Sequence, residues 1–134
     1  MCKIKEILSR KGPSFNIVSP DTKVLDALKL MQSENYSYVV VMEDDNYLGI
    51  MSERDYIHKI KVLGNKQDTA TVKEILNCNL PVVNYEDDLN RCMILMNVYK
   101  TRYLPVFDEL EFKGILSMND LMTEIIEENK FKQE

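Results

Sequence analysis

The chain repeats itself at a fixed spacing of 65 residues, and this repeat constrains its fold more than any other feature. Residues 18–58 align without a gap on residues 83–123, with nine identical pairs. Four of the nine lie in one short stretch, GIMSERD (Gly49–Asp55), which returns as GILSMND (Gly114–Asp120). Self-similarity of this kind predicts two copies of one supersecondary unit.

A second match lies upstream of each copy, where IKEIL at residues 4–8 returns as VKEIL at residues 72–76. Each copy then shows the predicted order β-α-β-β-α, because an extended segment is followed by a helical apolar pattern, two β-rich runs and another helical pattern. The predicted strands are Phe15–Val18, Tyr38–Met42 and Tyr47–Met51 in the first copy, and Leu80–Val83, Tyr103–Phe107 and Phe112–Leu116 in the second.

The first helix of each copy has a predicted start and a predicted core face. Thr22 is the expected N-cap in the first copy, and Asp87 or Asp88 lies near the start in the second. Apolar residues recur at helical spacing after these positions, and we expect them to face the core. They are Val24, Ala27, Leu28 and Met31, then Leu89, Cys92, Met93 and Met96.

One copy of about 65 residues buries too little apolar surface to be comfortably stable alone. We therefore predict an α+β fold in which the two repeats pack together about a pseudo-two-fold axis. Repeat 1 spans residues 1–61, a linker spans 62–71, and repeat 2 spans 72–134. Matching grooves of the two repeats are then expected to face each other across the junction.

Composition narrows the class of function. The formal charge is −5 and basic residues are interleaved with acids, which weighs against nucleic acid as a partner. No apolar run approaches the roughly 18 residues of a membrane span, and residues 1–6 lack the apolar region of a signal peptide. Cys2, Cys78 and Cys92 lack C-x-x-C spacing, so we interpret them as reduced thiols of a cytoplasmic protein.

The stretch that both copies keep has two interpretations. In the structural one, Ser-x-x-Asp is a variant of the capping box, in which the serine oxygen accepts a first-turn N–H and the aspartate bonds back. In the functional one, the following helix N-terminus holds a phosphate and the aspartate accepts hydrogen bonds from ribose hydroxyls. A cap does not require the preceding glycine, which would let a ligand approach the backbone closely. Ser52 with Asp55 and Ser117 with Asp120 are therefore candidate ligands for a ribose phosphate.

Both stretches resemble the signature of CBS domains, G-h-h-[ST]-x-x-[DN] with h apolar, and their tandem arrangement resembles a Bateman module. RYLPVF at residues 102–107 is similar to a second family element, an apolar strand that carries proline. The resemblance covers about residues 3–128, and SERDY at 52–56 is similar to small stand-alone bacterial members. It implies adenine-nucleotide binding in clefts between the two repeats and pairing of modules into a flat homodimer.

The resemblance also implies roles for individual residues. The signature aspartates Asp55 and Asp120 would bond ribose hydroxyls, and the serines Ser52 and Ser117 would contact phosphate or ribose. Strand residues would hold the adenine through backbone groups and apolar side chains; they are Val18, Val39, Val40, Val83, Leu104 and Pro105. AMP, ADP, ATP, NAD(H) and S-adenosylmethionine all remain candidate ligands, and we expect no obligatory cofactor and no metal.

The two copies differ in ways that predict unequal sites. Val40 stands where the second copy has Pro105, so the first copy lacks the family's proline in this strand. Arg54 lies inside the first signature, further basic residues follow it, and Arg102 of the second copy could reach the same region. The second signature contains no cation and is followed by acids. We therefore expect the site that contains Asp55 to be favoured for phosphate.

These features favour a non-catalytic adenine-nucleotide sensor, acting in signal transduction or energy sensing through an effector protein that the sequence does not name. His58 is the only histidine, and we find no P-loop, no metal-ligand set and no paired nucleophile and base, so a nucleotide-processing enzyme is less favoured. A pure oligomerisation or interaction module with degenerate clefts is the other alternative. On the last helix, Met118 and Met122 are candidates for the contact between protomers.

Overall fold

The computed structural model describes residues 3–12 and 16–133 of the chain. Within them are five α-helices, two three-stranded sheets and two short 3-10 turns. The helices are α1 (Ile4–Lys11), α2 (Val24–Glu34), α3 (Glu53–Leu63), α4 (Leu89–Tyr99) and α5 (Met118–Gln133). The strands are β1 (Ile17–Val18), β2 (Tyr38–Glu43), β3 (Asn46–Ser52), β4 (Val83–Asn84), β5 (Tyr103–Asp108) and β6 (Glu111–Ser117), and the 3-10 turns are Gly64–Lys66 and Val72–Glu74. None of the described helices combines the length and the apolar character that a membrane crossing requires.

The described chain divides into two compact units. The first, which we call the Asp55 unit, is formed by residues 16–79. The second, the Asp120 unit, is formed by residues 3–12 together with residues 80–133. Each unit contains one of the two sheets, so the predicted doubling of one supersecondary element is present in the structure.

The two sheets have the same topology. In the Asp55 unit β1 runs parallel to β2 and β2 antiparallel to β3, and β4, β5 and β6 repeat this arrangement in the Asp120 unit. The register repeats as well: Tyr38 pairs with Ser52 and Val40 with Ile50, and Tyr103 pairs with Ser117 and Pro105 with Ile115. The predicted α+β class and the β-α-β-β-α order are confirmed. The leading strands are shorter than predicted, and Phe15 lies outside the described residues.

One apolar cluster forms the core of each unit. In the Asp55 unit its buried members are Val24, Ala27, Met31, Val39, Val41, Met51, Leu63, Ala70, Val72 and Ile75. In the Asp120 unit they are Ile4, Ile7, Val83, Leu89, Cys92, Met96, Leu104, Val106, Leu116 and Leu121. Met93 is 44% exposed, so its predicted core position is wrong. It follows the buried Cys92 by one residue, which turns its side chain about 100° around the helix.

The predicted helix starts have different outcomes. Asp88 is the N-cap of α4, and its side chain accepts a hydrogen bond from the N–H of Arg91 (3.1 Å). Thr22 is not the N-cap of α2, because that position is Lys23 and no side chain caps the helix. The first N–H of α2, on Val24, instead donates to the carbonyl of Ala70 (2.9 Å), so a backbone oxygen caps this helix.

The leading segments of the two copies dock in equivalent ways, each in the unit that holds the other copy's sheet. In the Asp120 unit the N–H of Ile4 donates to the carbonyl of Asp87 (3.0 Å). In the Asp55 unit the N–H of Val72 donates to the carbonyl of Thr22 (2.8 Å). Ile4 and Val72 open the matched IKEIL and VKEIL segments, and Thr22 and Asp87 are matched across the repeat. The sequence repeats and the structural units therefore do not coincide.

After docking, the two leading segments diverge. The first continues as α1 to Lys11 and ends at Gly12, which has a φ of 78°. The second is only the 3-10 turn Val72–Glu74, after which Asn77 pairs with Ile50 through N–H to carbonyl bonds of 2.7 and 3.1 Å. Asparagine is a poor helix former, and the residue before Pro81 is disfavoured in helical conformation, so the second segment leaves the helix early.

Candidate functional site

The end of β3 and the start of α3 form a closed hydrogen-bonded corner, which we call the Asp55 corner. Ser52 is the N-cap of α3 and is buried, and its Oγ accepts the N–H of Asp55 (3.1 Å). Asp55 Oδ2 accepts the backbone N–H of Ser52 (2.9 Å) and also its hydroxyl (2.8 Å). The capping box expected from the structural interpretation is therefore present.

The end of β6 and the start of α5 form the matching Asp120 corner. Ser117 Oγ accepts the N–H of Asp120 (3.1 Å), and Asp120 Oδ2 accepts the N–H of Ser117 (2.8 Å). The second bond to Oδ2 comes from a different group, because the Nζ of Lys11 donates to it at 3.0 Å. The same Nζ donates to the carbonyl of Ile115 at 2.9 Å.

Capping occupies only one of the two oxygens of each carboxylate. Within the described residues, every hydrogen bond that the two carboxylates accept goes to Oδ2, and Oδ1 accepts none. Each aspartate is partly exposed and stands in the first turn of a helix. The structural and functional interpretations of the signature are therefore compatible, because a ligand hydroxyl can donate to Oδ1 while the cap remains intact.

The Asp120 corner holds a cation that the sequence did not suggest. Near the Asp55 corner, Arg54 and His58 are exposed, and Lys59 is turned to the carbonyl of Ile75 (3.4 Å). The Asp120 corner holds Lys11, which is separated from Asp120 by 109 positions in the chain. The expected preference of phosphate for the Asp55 site rested on Arg54, on the basic residues that follow it and on Arg102, and it stays a prediction. No local pattern could have found Lys11, because its position depends on where α1 docks.

The strand residues implied for adenine fall into two groups. Val39, Val83 and Leu104 are buried members of the unit cores, and Val18 packs partly against one of them, so within each unit their side chains are committed to packing. Val40 and Pro105 are also buried but belong to neither core. They alternate with core residues along β2 and β5 and therefore point to the opposite face of each sheet.

Arg102 is exposed and directly precedes β5. Its carbonyl accepts the first N–H of α5, from Met118, at 2.7 Å. The matching position Ser37 accepts the N–H of Glu53 at 3.2 Å. Both helices thus start with one N–H already satisfied by the chain. The approach of the Arg102 side chain to the Asp55 region stays a prediction.

The two signature glycines serve the chain itself in different ways. A Cβ on Gly49 would lie 2.6 Å from the carbonyl oxygen of Asn77, so glycine is required for the pairing of that segment with β3. The expectation that this glycine leaves room for a ligand is therefore corrected. Gly114 has a φ of +147°, and a Cβ at this position would lie 3.5 Å from a methyl of Leu8, which is an ordinary contact. Its requirement is conformational rather than steric.

Two of the three cysteines lie in the described part of the chain, and neither forms a disulfide there. Cys92 is buried, and burial, reinforced by the carboxylates of Asp87 and Asp88, raises the pKa of its thiol from 9.0 to about 12. Burial also raises the pKa of the Tyr47 phenol, with a further contribution from Cys78. Among the described residues, no group of three or more histidine, cysteine or acidic side chains is placed to hold a metal.

Comparison with known proteins identifies relatives along nearly the whole chain. The CBS domain family model matches residues 4–62 and 72–127. The mitochondrial CBS domain-containing protein CBSX3 of Arabidopsis thaliana is 29% identical over 95% of this chain. The chain spans 66%, 53% and 65% of the length of three curated relatives, so those proteins contain further sequence.

Solved structures give the same family. A crystal structure of a CBS domain is 32% identical, with a TM-score of 0.86, and the match covers 94% of this chain and 99% of that one. The crystal structure of CBSX2 in complex with AMP has a TM-score of 0.78 at 23% identity, covering 96% of this chain and 99% of that one. At that identity the likeness establishes a common fold, and the AMP is a property of CBSX2.

Proposed function

Because this chain belongs to the CBS-domain family, whose proteins are regulatory modules, we propose that it binds an adenine nucleotide as a non-catalytic sensor. The observation that carries the proposal is the repeated corner. In both units an aspartate in the first turn of a helix is held by a capping box and, within the described residues, accepts no hydrogen bond at Oδ1. A neighbour of the same fold is solved with AMP, which supports this choice of ligand class.

The ribose is the part of the ligand that the corners suit best. A carboxylate oxygen accepts a hydrogen bond from a sugar hydroxyl, and the charge on the acceptor makes this bond stronger than a neutral one. The capping box fixes the rotamer of Asp55 or Asp120 before the ligand arrives, so little side-chain entropy is lost on binding. Ser52 and Ser117, held in the same boxes, stand beside the positive end of a helix, where a phosphate is stabilised.

For the adenine, we propose contacts from Val40 and Pro105 on the sheet faces turned away from the cores. Val18, Val39, Val83 and Leu104 then contribute only backbone groups, because their side chains pack inside the units. Pro105 has no N–H, and the N–H of Val40 already donates to the carbonyl of Asn16 (2.9 Å), so neither position donates a backbone hydrogen bond to a base. We keep AMP, ADP, ATP, NAD(H) and S-adenosylmethionine as candidate ligands.

Titration calorimetry with AMP, ATP and NAD tests the proposal. We expect Asp55→Ala and Asp120→Ala to weaken binding about ten- to hundredfold, the range for loss of a hydrogen bond to a charged group. Asp26→Ala is the matched control, since Asp26 is an exposed acid in the first turn of α2 and should leave affinity unchanged. No heat with any adenosine compound would show that the module does not sense nucleotides, and equal losses in the two variants would contradict unequal sites.

The absence of catalysis is tested separately. We expect the purified protein to release no phosphate from ATP, because the corners offer acceptors and caps rather than a nucleophile activated by a base. Turnover that Asp55→Ala abolishes would make the protein an enzyme and overturn the sensor assignment. We place the sensor in the cytoplasm, as the sequence predicts, a reducing compartment that suits the free thiols of Cys78 and Cys92.

Apolar side chains on α4 and α5 support self-association into a homodimer. The two helices pack together within the Asp120 unit, and large exposed apolar patches are typical of protein interfaces. Among the side chains that the structure describes, the exposed apolar residues on these helices are Met93, Ile94, Val98, Tyr99, Met122 and Ile126. Met122 belongs to this surface, whereas Met118 packs partly against the core of its own unit, so Met122 is the better candidate for a contact.

Light scattering after size-exclusion chromatography measures the state of assembly. We expect a mass near twice the 15.7 kDa of one chain, and Ile94→Glu should reduce it to that of one chain. Asn97→Glu, at an exposed polar position of the same helix, should leave the dimer intact. A monomeric unmodified protein would contradict this part of the proposal, leaving nucleotide binding to be judged by the calorimetry.

A further inference from the structure

Lys11 at the end of α1 replaces two separate donors of the other unit. In the Asp55 unit, the carbonyl of Ile50 accepts the N–H of Asn77 (2.7 Å), and Asp55 Oδ2 accepts the hydroxyl of Ser52 (2.8 Å). In the Asp120 unit, the ammonium of Lys11 serves both matching acceptors, Ile115 O and Asp120 Oδ2. A charged group therefore stands where the first unit has neutral donors.

This replacement changes what the Asp120 corner offers to a ligand. The side chains of Lys11 and Asp120 are 26% and 17% exposed, so their ion pair is partly shielded from solvent. The ammonium offsets the negative charge that would otherwise repel a phosphate brought close to Asp120. Ser117 donates no hydrogen bond from its hydroxyl within the described residues, whereas the hydroxyl of Ser52 is bound to Asp55.

We infer that Lys11 is a specificity-determining residue that makes the Asp120 corner select phosphorylated adenosine over the neutral nucleoside. The ammonium supplies positive charge at the corner, and the hydroxyl of Ser117 supplies a donor that Ser52 cannot supply without breaking its bond to Asp55. The Asp55 corner has no such built-in pair in its unit, since Lys59 is directed to the carbonyl of Ile75. This inference rests on the proposed function and names the substrate preference of one of its two corners.

A purely structural role for Lys11 makes a different prediction. If its ammonium only fastens the end of α1 to β6, removal of the charge lowers stability and weakens all ligands by the same factor. If Lys11 selects phosphate, removal weakens AMP and leaves adenosine nearly unaffected. The ratio of the two affinities separates these roles, because an effect common to both ligands cancels in the ratio.

The experiment titrates adenosine and AMP into the Asp55→Ala protein, in which the Asp120 corner is the intact one. Adding Lys11→Met, which keeps the length of the side chain and removes its charge, should weaken AMP about tenfold and change adenosine less than about twofold. Adding Lys11→Arg should restore most of the preference for AMP. Arg10→Met is the matched control, because Arg10 is the neighbouring cation on α1 and binds Glu124 (2.7 Å) rather than Asp120.

The outcomes separate this inference from the function on which it rests. Equal weakening of both ligands by Lys11→Met, or no weakening of either, would overturn the role of Lys11 while leaving nucleotide binding in place. The same loss with Arg10→Met would assign the effect to the net charge of α1 rather than to Lys11. If the unmodified protein binds neither adenosine nor AMP, the proposed function fails and this inference fails with it.

Discussion

The Asp55 corner and the Asp120 corner share a backbone and differ in the atom that completes the aspartate's hydrogen bonds. In the first, Ser52 donates its own hydroxyl to Asp55. In the second, Lys11 donates from a helix that lies far away in the sequence. The signature residues themselves are therefore insufficient to determine the chemistry of a corner. The segment that docks beside them decides whether the carboxylate meets a neutral donor or a cation.

The difference starts with a few residues after the matched IKEIL and VKEIL segments. SRKG (9–12) lets α1 continue to Lys11 and stop at Gly12, whose φ of 78° is one that glycine adopts readily. NCNLP (77–81) combines poor helix formers with a proline, so the chain leaves the helix and Asn77 pairs with Ile50. A backbone bridge and a lysine side chain are thus alternative ways to satisfy the same strand carbonyl.

The largest effect that tests this comparison is the loss of stability when either signature glycine is replaced. We expect Gly49→Ala to lower the free energy of unfolding by about 3 kcal/mol, because the new Cβ meets a backbone oxygen that no side-chain rotation can move. Gly114→Ala should lower it by about 2 kcal/mol through backbone strain at positive φ. Denaturation by urea measures both. If adding Leu76→Ala restores the stability of Gly49→Ala, the carbonyl of Asn77 is not the obstacle.

The next effect compares Cys92 with Ala27, its match in the first copy. The pKa of the buried thiol is raised to about 12, so the folded state keeps a proton that the unfolded state loses above about pH 9. This stabilisation is fully present below pH 9 and is lost as the pH rises toward 12, by about 1.4 kcal/mol between pH 8 and pH 10. Cys92→Ala should make the alkaline decline shallower, leaving the smaller part due to Tyr47. An unchanged decline would mean that Cys92 does not stay protonated in the fold.

A smaller effect distinguishes the two serines. Ser52→Ala removes an acceptor for a helix N–H and a donor to Asp55, and we expect a loss of about 1 kcal/mol. Ser117→Ala removes only the acceptor, since Lys11 still serves Asp120, and should cost about half as much. Thermal melting of both variants beside the unmodified protein gives the order. A larger loss at Ser117 would contradict the hydrogen-bond assignment of the two corners.

The smallest effect concerns the ion pairs that hold the leading segments. Glu86 bonds the ammonium groups of Lys5 and Lys3, and these bonds lower the pKa of its carboxyl. The resulting stabilisation is present above the ordinary carboxyl pKa of 4.5 and is lost as the pH falls below it. Glu86→Gln should therefore lower the melting temperature slightly at pH 7 and not at pH 3. Asp21→Asn, at the matched position, should have less effect, since Asp21 lies 3.6 Å from Lys73. A drop at pH 3 equal to that at pH 7 would show that charge is not the cause.

Local sequence patterns predicted what local interactions determine. The strands and helices follow from apolar periodicity, and the Ser-x-x-Asp cap follows from residues three apart. The sequence does not predict the exposure of Met93, because a change of one position around the helix is enough to move a side chain out of the core. It also does not predict the start of α2, because the carbonyl that accepts its first N–H belongs to Ala70, far away in the chain. The cation at Asp120 and the close approach at Gly49 depend on where the leading segments dock, which the repeat spacing alone does not reveal.

The crossing of the leading segments between copies has a consequence for how such a chain can be divided. A fragment cut between the two repeats would carry a leader whose docking surface is on the missing fragment, and would lack the leader that its own sheet needs. Neither fragment is thus self-sufficient, but two fragments mixed in solution could complement each other.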